Sequence, residues 1–207
     1  MSTRVAKSRL STAGIASLVA ALAILAAVVV APSATAEPTA SASAFNPSPV
    51  RHVRANGIDI GYRVIGKGRP LVMITGSSGA MSEWDPALIS RLANKHRVIV
   101  FDNRGVGTTS GPVKGLTIEK MADDTAALIA RLGLRRPDVL GWSMGGYIAQ
   151  ELAIHHPNSV RRLVLAATDP GSPKAIPTPE WVIKVFENPE TTTEDLVSLL
   201  FPRAHEA

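Results

Sequence analysis

The residue whose surroundings best suit chemistry is Ser143, within Gly141-Trp142-Ser143-Met144-Gly145-Gly146, a G-x-S-x-G pattern. A short apolar run ending at Leu140 precedes it, and Tyr147, Ile148, Leu152 and Ile154 supply helical apolar faces after it. The expected order is strand, sharp turn, helix. In such a turn the serine backbone is strained, and the flanking glycines remove Cβ atoms that would strike neighbouring strands. The hydroxyl then stands where a base and a substrate can reach it. A helix starting at Met144 adds free N–H groups and a positive dipole end, which would stabilise an oxyanion beside Ser143. A Gly-rich turn between strand and helix can also be plain structure or a phosphate cradle. The flanks argue against the cradle, because no Lys-Ser/Thr follows the glycines and no G-x-G-x-x-G is present.

The elements that must hold this turn are readable upstream. Val50 to Arg54 and Ile58 to Val64 alternate apolar and polar residues around Asn56-Gly57, which predicts a two-residue hairpin. Gly66-Lys67-Gly68-Arg69-Pro70 breaks the pattern. Leu71 to Ile74 and Val98 to Phe101 are continuous apolar runs of the kind buried on both faces of a parallel sheet. Between them, after Thr75-Gly76-Ser77-Ser78-Gly79, a helix is expected through Trp84, Leu88, Ile89 and Leu92. Thr117 should begin an amphipathic helix with Ile118, Met121, Ala122, Thr125, Leu128, Ile129 and Leu132 on its inner face, stopped by Gly133. Asp123 and Asp124 fall beside that stripe and are expected to be solvated. Val160 to Ala167 returns as a further strand. Strands alternating with helices imply an α/β fold: a mostly parallel sheet covered by helices on both sides.

From about Val50 to Gly171 the chain resembles the α/β-hydrolase superfamily of serine hydrolases. The loop Thr75-Gly76-Ser77, the Asp102-x-Arg104-Gly105-x-Gly107 turn and the G-x-S-x-G-G segment, in this order, carry the likeness. Esterase, haloperoxidase-like and aminopeptidase-like members share it. The resemblance implies that Ser143 is the nucleophile of an acyl-enzyme mechanism, and that the N–H groups of Met144 and Ser77 hold the oxyanion. Thr75 stands where many relatives have His, which leaves the task of its side chain open. Asp102 and Arg104 are expected to brace their own loop by local hydrogen bonds, with the glycines at positive φ. Trp84 and Trp142 are expected in the core rather than lining an acyl pocket.

The family's order of nucleophile, acid and histidine is harder to complete here. His155 lies twelve positions beyond Ser143, about 18 Å of helical rise, and His156 is no nearer. His205 stands in a polar tail with no strand before it. Asp169 follows the Val160 to Ala167 strand, a position some members use for the acid, yet as a turn former before Pro170-Gly171 it has a structural role at hand. Beyond Ser172, short amphipathic helices over Trp181 to Phe186 and Leu196 to Phe201 resemble the start of a lid. The expectation is a copy that carries six strands and part of a lid (173–207), without the last two strands and the histidine.

Composition closes off other functions. With no Cys, there is no disulfide, thiol nucleophile or Cys-ligated zinc, and the five His show no ligand spacing among themselves. Nothing calls for a cofactor or a metal. The formal charge of +5 owes much to Arg4, Lys7 and Arg9, since residues 1–36 hold no acid. The remaining surface is nearly balanced, with no basic stripe for nucleic acid. A basic start, an uncharged run from Leu10 and Ala34-Thr35-Ala36 predict a signal peptide over 1–36 cleaved before Glu37, hence a secreted or extracytoplasmic protein. A retained membrane anchor is the competing reading. A Ser/Ala/Pro linker (37–49) leads into the hydrolase core (50–172). The expected partner is a small acyl substrate, an ester or amide, and the alternative is a non-catalytic binding protein of the same fold.

Overall fold

The computed structural model describes residues 48–171, 175–192, 194, 195 and 199. The expected leader, most of the linker, His205 and most of the Leu196 to Phe201 segment lie outside the described residues.

Strand β1 (Arg51–Ala55) turns through Asn56 and Gly57 into β2 (Ile58–Ile65). Both turn residues take positive φ, 46° and 78°. That is the geometry whose twist matches two right-twisted strands, so Val53 pairs with Ile60 and Ala55 with Ile58. Next come β3 (Arg69–Ile74), α1 (Pro86–Ala93) and β4 (His96–Phe101). They are followed by α2 (Ile118–Arg131), β5 (Asp138–Trp142), α3 (Met144–His155) and β6 (Arg162–Ala166). The sheet order is β1-β2-β4-β3-β5-β6. The hairpin joins β4 antiparallel, while β3–β4, β3–β5 and β5–β6 are parallel.

Alternation along the parallel strands sorts their side chains into two cores. Val72, Ile74, Ile99, Phe101 and Val139 meet Leu128 and Ile129 of α2 and Ile148 and Leu152 of α3 on one side. Leu71, Met73, Val98 and Val100 meet Ile89 of α1 and Met81 on the other. Thr117 caps α2, its Oγ1 accepting the Lys120 N–H at 3.1 Å, and Gly133 follows the helix at φ 62°.

Several expectations are corrected. Trp84 precedes α1, which starts at Pro86 behind an Asp85 cap whose Oδ1 accepts the Leu88 N–H at 2.7 Å. Arg69 and Pro70 already belong to β3, so the break spans only the residues before them. Asp124 is buried rather than solvated, because it pairs with Arg104 from a loop 20 positions upstream. The sheet is not covered throughout: on β6, Val164 and Leu165 are 49% and 43% exposed although they point to opposite faces.

The described residues from 175 onward belong to a second unit. Its helix α4 (Glu180–Glu187) covers the stretch where a short amphipathic helix over Trp181 to Phe186 is expected, and it carries a Lys184–Glu180 pair at 2.9 Å. Among the described residues no helix is long and apolar enough to cross a membrane.

Candidate active site

At the junction of β5 and α3, Ser143 holds φ 55° and ψ −122°. Few non-glycine residues tolerate that combination, and it persists only where the surroundings over-determine it. Two backbone bonds do so. The Ser143 N–H donates to Ala166 of β6 at 2.9 Å, and the Ser143 carbonyl accepts from Gly146 at 2.8 Å as the helix begins.

Close approach explains the glycines. A Cβ on Gly141 would lie 2.3 Å from the Gly145 carbonyl oxygen, and one on Gly145 would lie 2.2 Å from that of Ile74. The first turn of α3 therefore rests on the backbone of the sheet, which sets where Ser143 emerges. Ser143 itself is half-buried.

The loop after β3 presses against this turn. A Cβ on Gly76 would meet the Trp142 ring at 3.1 Å and the Ser143 Cβ at 3.3 Å. Thr75 is buried and its hydroxyl donates to the Gly79 carbonyl at 2.8 Å, so its side chain closes the loop on itself. Ser77 is buried, and among the described residues its N–H meets no backbone acceptor. The Met144 N–H, first in α3, is one of the amides that a helix leaves without an internal partner. Trp142 is not core: it is 41% exposed and edge-on to Trp84, with ring centroids 6.4 Å apart.

Asp102 braces its loop as expected. Its carboxylate accepts the Met81 N–H, the Thr108 N–H and the Thr108 hydroxyl at 2.7, 2.7 and 2.8 Å. Gly105 and Gly107 take φ 73° and 50°. Arg104, by contrast, reaches beyond the loop: its Nε and Nη2 donate to Asp124 at 2.8 and 2.6 Å, and Asn56 donates to the same carboxylate at 2.6 Å. That hydrogen bonding holds the guanidinium above its ordinary pKa against the opposing effect of burial.

Asp169 forms the expected turn, accepting the Gly171 N–H at 2.6 Å. Two residues of α3 also hold it: Tyr147, which the sequence places on an apolar helix face, and Gln150, which carries no sequence signal. The Tyr147 hydroxyl donates to its carboxylate at 2.7 Å, and Gln150 donates to its carbonyl at 2.8 Å. Burial first, and then the Asp169 carboxylate, push the Tyr147 phenol well above its ordinary range.

Four histidines lie among the described residues, and each is placed away from Ser143. His96 opens β4, at the end of the parallel sheet opposite the serine. His52 pairs with Asp59 in the hairpin. His155 and His156 stand at the far end of α3, against Glu151 at 2.9 Å and Asp123 at 2.8 Å.

Residues 69–206 match the alpha/beta hydrolase fold family. The chain belongs to it. Among curated relatives, a putative non-heme bromoperoxidase of Mycobacterium tuberculosis is 44% identical over 112 residues, 54% of this chain and 42% of the relative. A putative carbamate hydrolase of Azorhizobium caulinodans is 34% identical over 107 residues, 52% of this chain and 40% of the relative. Among solved structures, the N-acyl homoserine lactonase AidH complexed with N-butanoyl homoserine superposes with a TM-score of 0.54 at 30% identity. That match covers 59% of this chain and 46% of the lactonase. The chain thus spans less than half the length of each of these three relatives.

Proposed function

We propose that this alpha/beta hydrolase cleaves a small acyl substrate, an ester, amide, lactone or carbamate, through an acyl-enzyme on Ser143. The observation that carries the reading is the constrained turn at Ser143, φ 55° and ψ −122°, with the amide-bearing end of α3 immediately after it. The Ser143 hydroxyl oxygen attacks the substrate carbonyl carbon and gives its proton to a base, while the carbonyl electron pair moves onto oxygen. The N–H groups of Met144 and Ser77 receive that oxyanion. Each such donor typically contributes about 2.7–4 kcal/mol to the transition state. Collapse expels the leaving group with a proton from the base, and water then releases the acid by the reverse sequence. Substrate class is taken from the names of the carbamate hydrolase and lactonase relatives.

The base is not one of the four described histidines, so the test supplies one. Labelling of the 207-residue chain by a fluorophosphonate probe is expected to depend on Ser143, to vanish in Ser143→Ala, and to accelerate with added imidazole. A folded chain that shows no Ser143-dependent labelling under either condition would leave the alternative, a binding protein without turnover. Export follows from the leader of residues 1–36. Mass spectrometry of the secreted product is expected to find Glu37 at the mature N-terminus, and an intact Met1 start would overturn cleavage.

A further inference from the structure

At the end of α3 remote from Ser143, side chains from two helices converge in a way the serine chemistry does not use. Glu151 and His155 are four residues apart on α3, with Oε2 and Nε2 2.9 Å apart. Glu119 comes from the first turn of α2. One donor atom from each of the three lies within 4.8 Å of the other two.

The helix-surface pair Glu151–His155 is commonplace by itself and accounts for two of the three groups. Glu119 is different. It brings a second carboxylate within 4.8 Å of the first, one of them on a side chain only 21% exposed, with a single imidazole within the same distance of both. Like charges at that range repel. A shared dication removes the repulsion.

We propose that Glu119, Glu151 and His155 bind one divalent transition-metal ion of the zinc class, joining α2 to α3. Two carboxylate oxygens and one imidazole nitrogen are a zinc donor set, with bonds of about 2.0–2.2 Å and a fourth position for water. The nitrogen favours such an ion over magnesium or calcium, which prefer all-oxygen shells. Exposure of Glu119 and His155 leaves those side chains room to close on the ion. His156 stays outside the set, since its Nε2 is engaged by Asp123 at 2.8 Å. That contact links the same two helices and holds them in register. In sequence, Glu151-x-x-x-His155 is ligand spacing on one helix face. Considering histidines alone overlooks it, and Glu119 enters only through the packing of α2 on α3.

The inference is independent of the role of Ser143. The chelator-treated 207-residue chain is titrated with zinc alone by calorimetry, beside His155→Ala, Glu119→Gln and His156→Ala, each checked for folding by circular dichroism. The expected result is one saturable zinc equivalent, with affinity lower by about tenfold or more in His155→Ala and Glu119→Gln and unchanged in His156→Ala. Zinc should raise the melting midpoint of the parent but not of the two ligand variants, and magnesium should do neither. Absence of saturable zinc binding by the folded parent would overturn the proposal. So would a ligand variant that binds as tightly as the parent, or loss of binding in His156→Ala.

Discussion

Ser143 occupies a conformation that costs of order 1–3 kcal/mol, and the glycines around it are what allow the rest of the turn to close over that strain. They are not equivalent. A methyl on Gly145 would collide with the backbone oxygens of Ile74 and Thr75 at 2.2 and 2.6 Å, whereas one on Gly146 meets the side chain of Thr168 at 2.3 Å. A side chain can rotate and a central strand cannot. Gly145→Ala is therefore expected to destabilise the chain by about 3 kcal/mol, the upper end of ordinary overpacking, and Gly146→Ala by clearly less. Urea midpoints of the two variants check the order, and equal losses would show that α3 does not rest on the sheet in this way.

Among the elements, α2 offers the simplest test of local design. The Thr117 hydroxyl satisfies one otherwise orphaned amide, that of Lys120, so Thr117→Ala should lower stability by about 1 kcal/mol while Thr117→Ser retains most of it. Chemical denaturation of the pair reads this directly. The cap, the hairpin at Asn56-Gly57 and the strand-turn-helix at Ser143 were all legible in the sequence, because each is dictated by residues within a few positions of one another. Asp124 was not. Beside Asp123 on an amphipathic helix it reads as surface, and only the arrival of Arg104 and Asn56 makes a buried carboxylate tolerable. The hold of Tyr147 and Gln150 on Asp169 was hidden for the same reason, as was the exposure of Trp142, which depends on how the post-β3 loop crosses it. Of the candidate site, the sharp turn that carries Ser143 between β5 and α3 could be read ahead. In the proposed mechanism the base would come from a segment distant in sequence, which no pattern local to Ser143 identifies.

At the level of the whole molecule, the sheet ends at β6, which among the described residues pairs only with β5. An edge strand with exposed Val164 and Leu165 is a template for pairing with another chain. Concentrated solutions are expected to self-associate, and Val164→Lys should suppress the rise of light scattering with concentration. Unchanged scattering in that variant would exclude β6 as the contact. On the opposite side of the sheet, one carboxylate gathers the hairpin, the post-β4 loop and a helix: Asn56, Arg104 and Asp124 come from three separate parts of the chain, with both charged side chains only 5% exposed. Losing either charge strands the other away from water, a penalty of about 3–5 kcal/mol, and removing the second then adds little. Evolution can therefore exchange the three residues together far more readily than singly, so their histories in any lineage of this protein should be linked as if they were one inherited character.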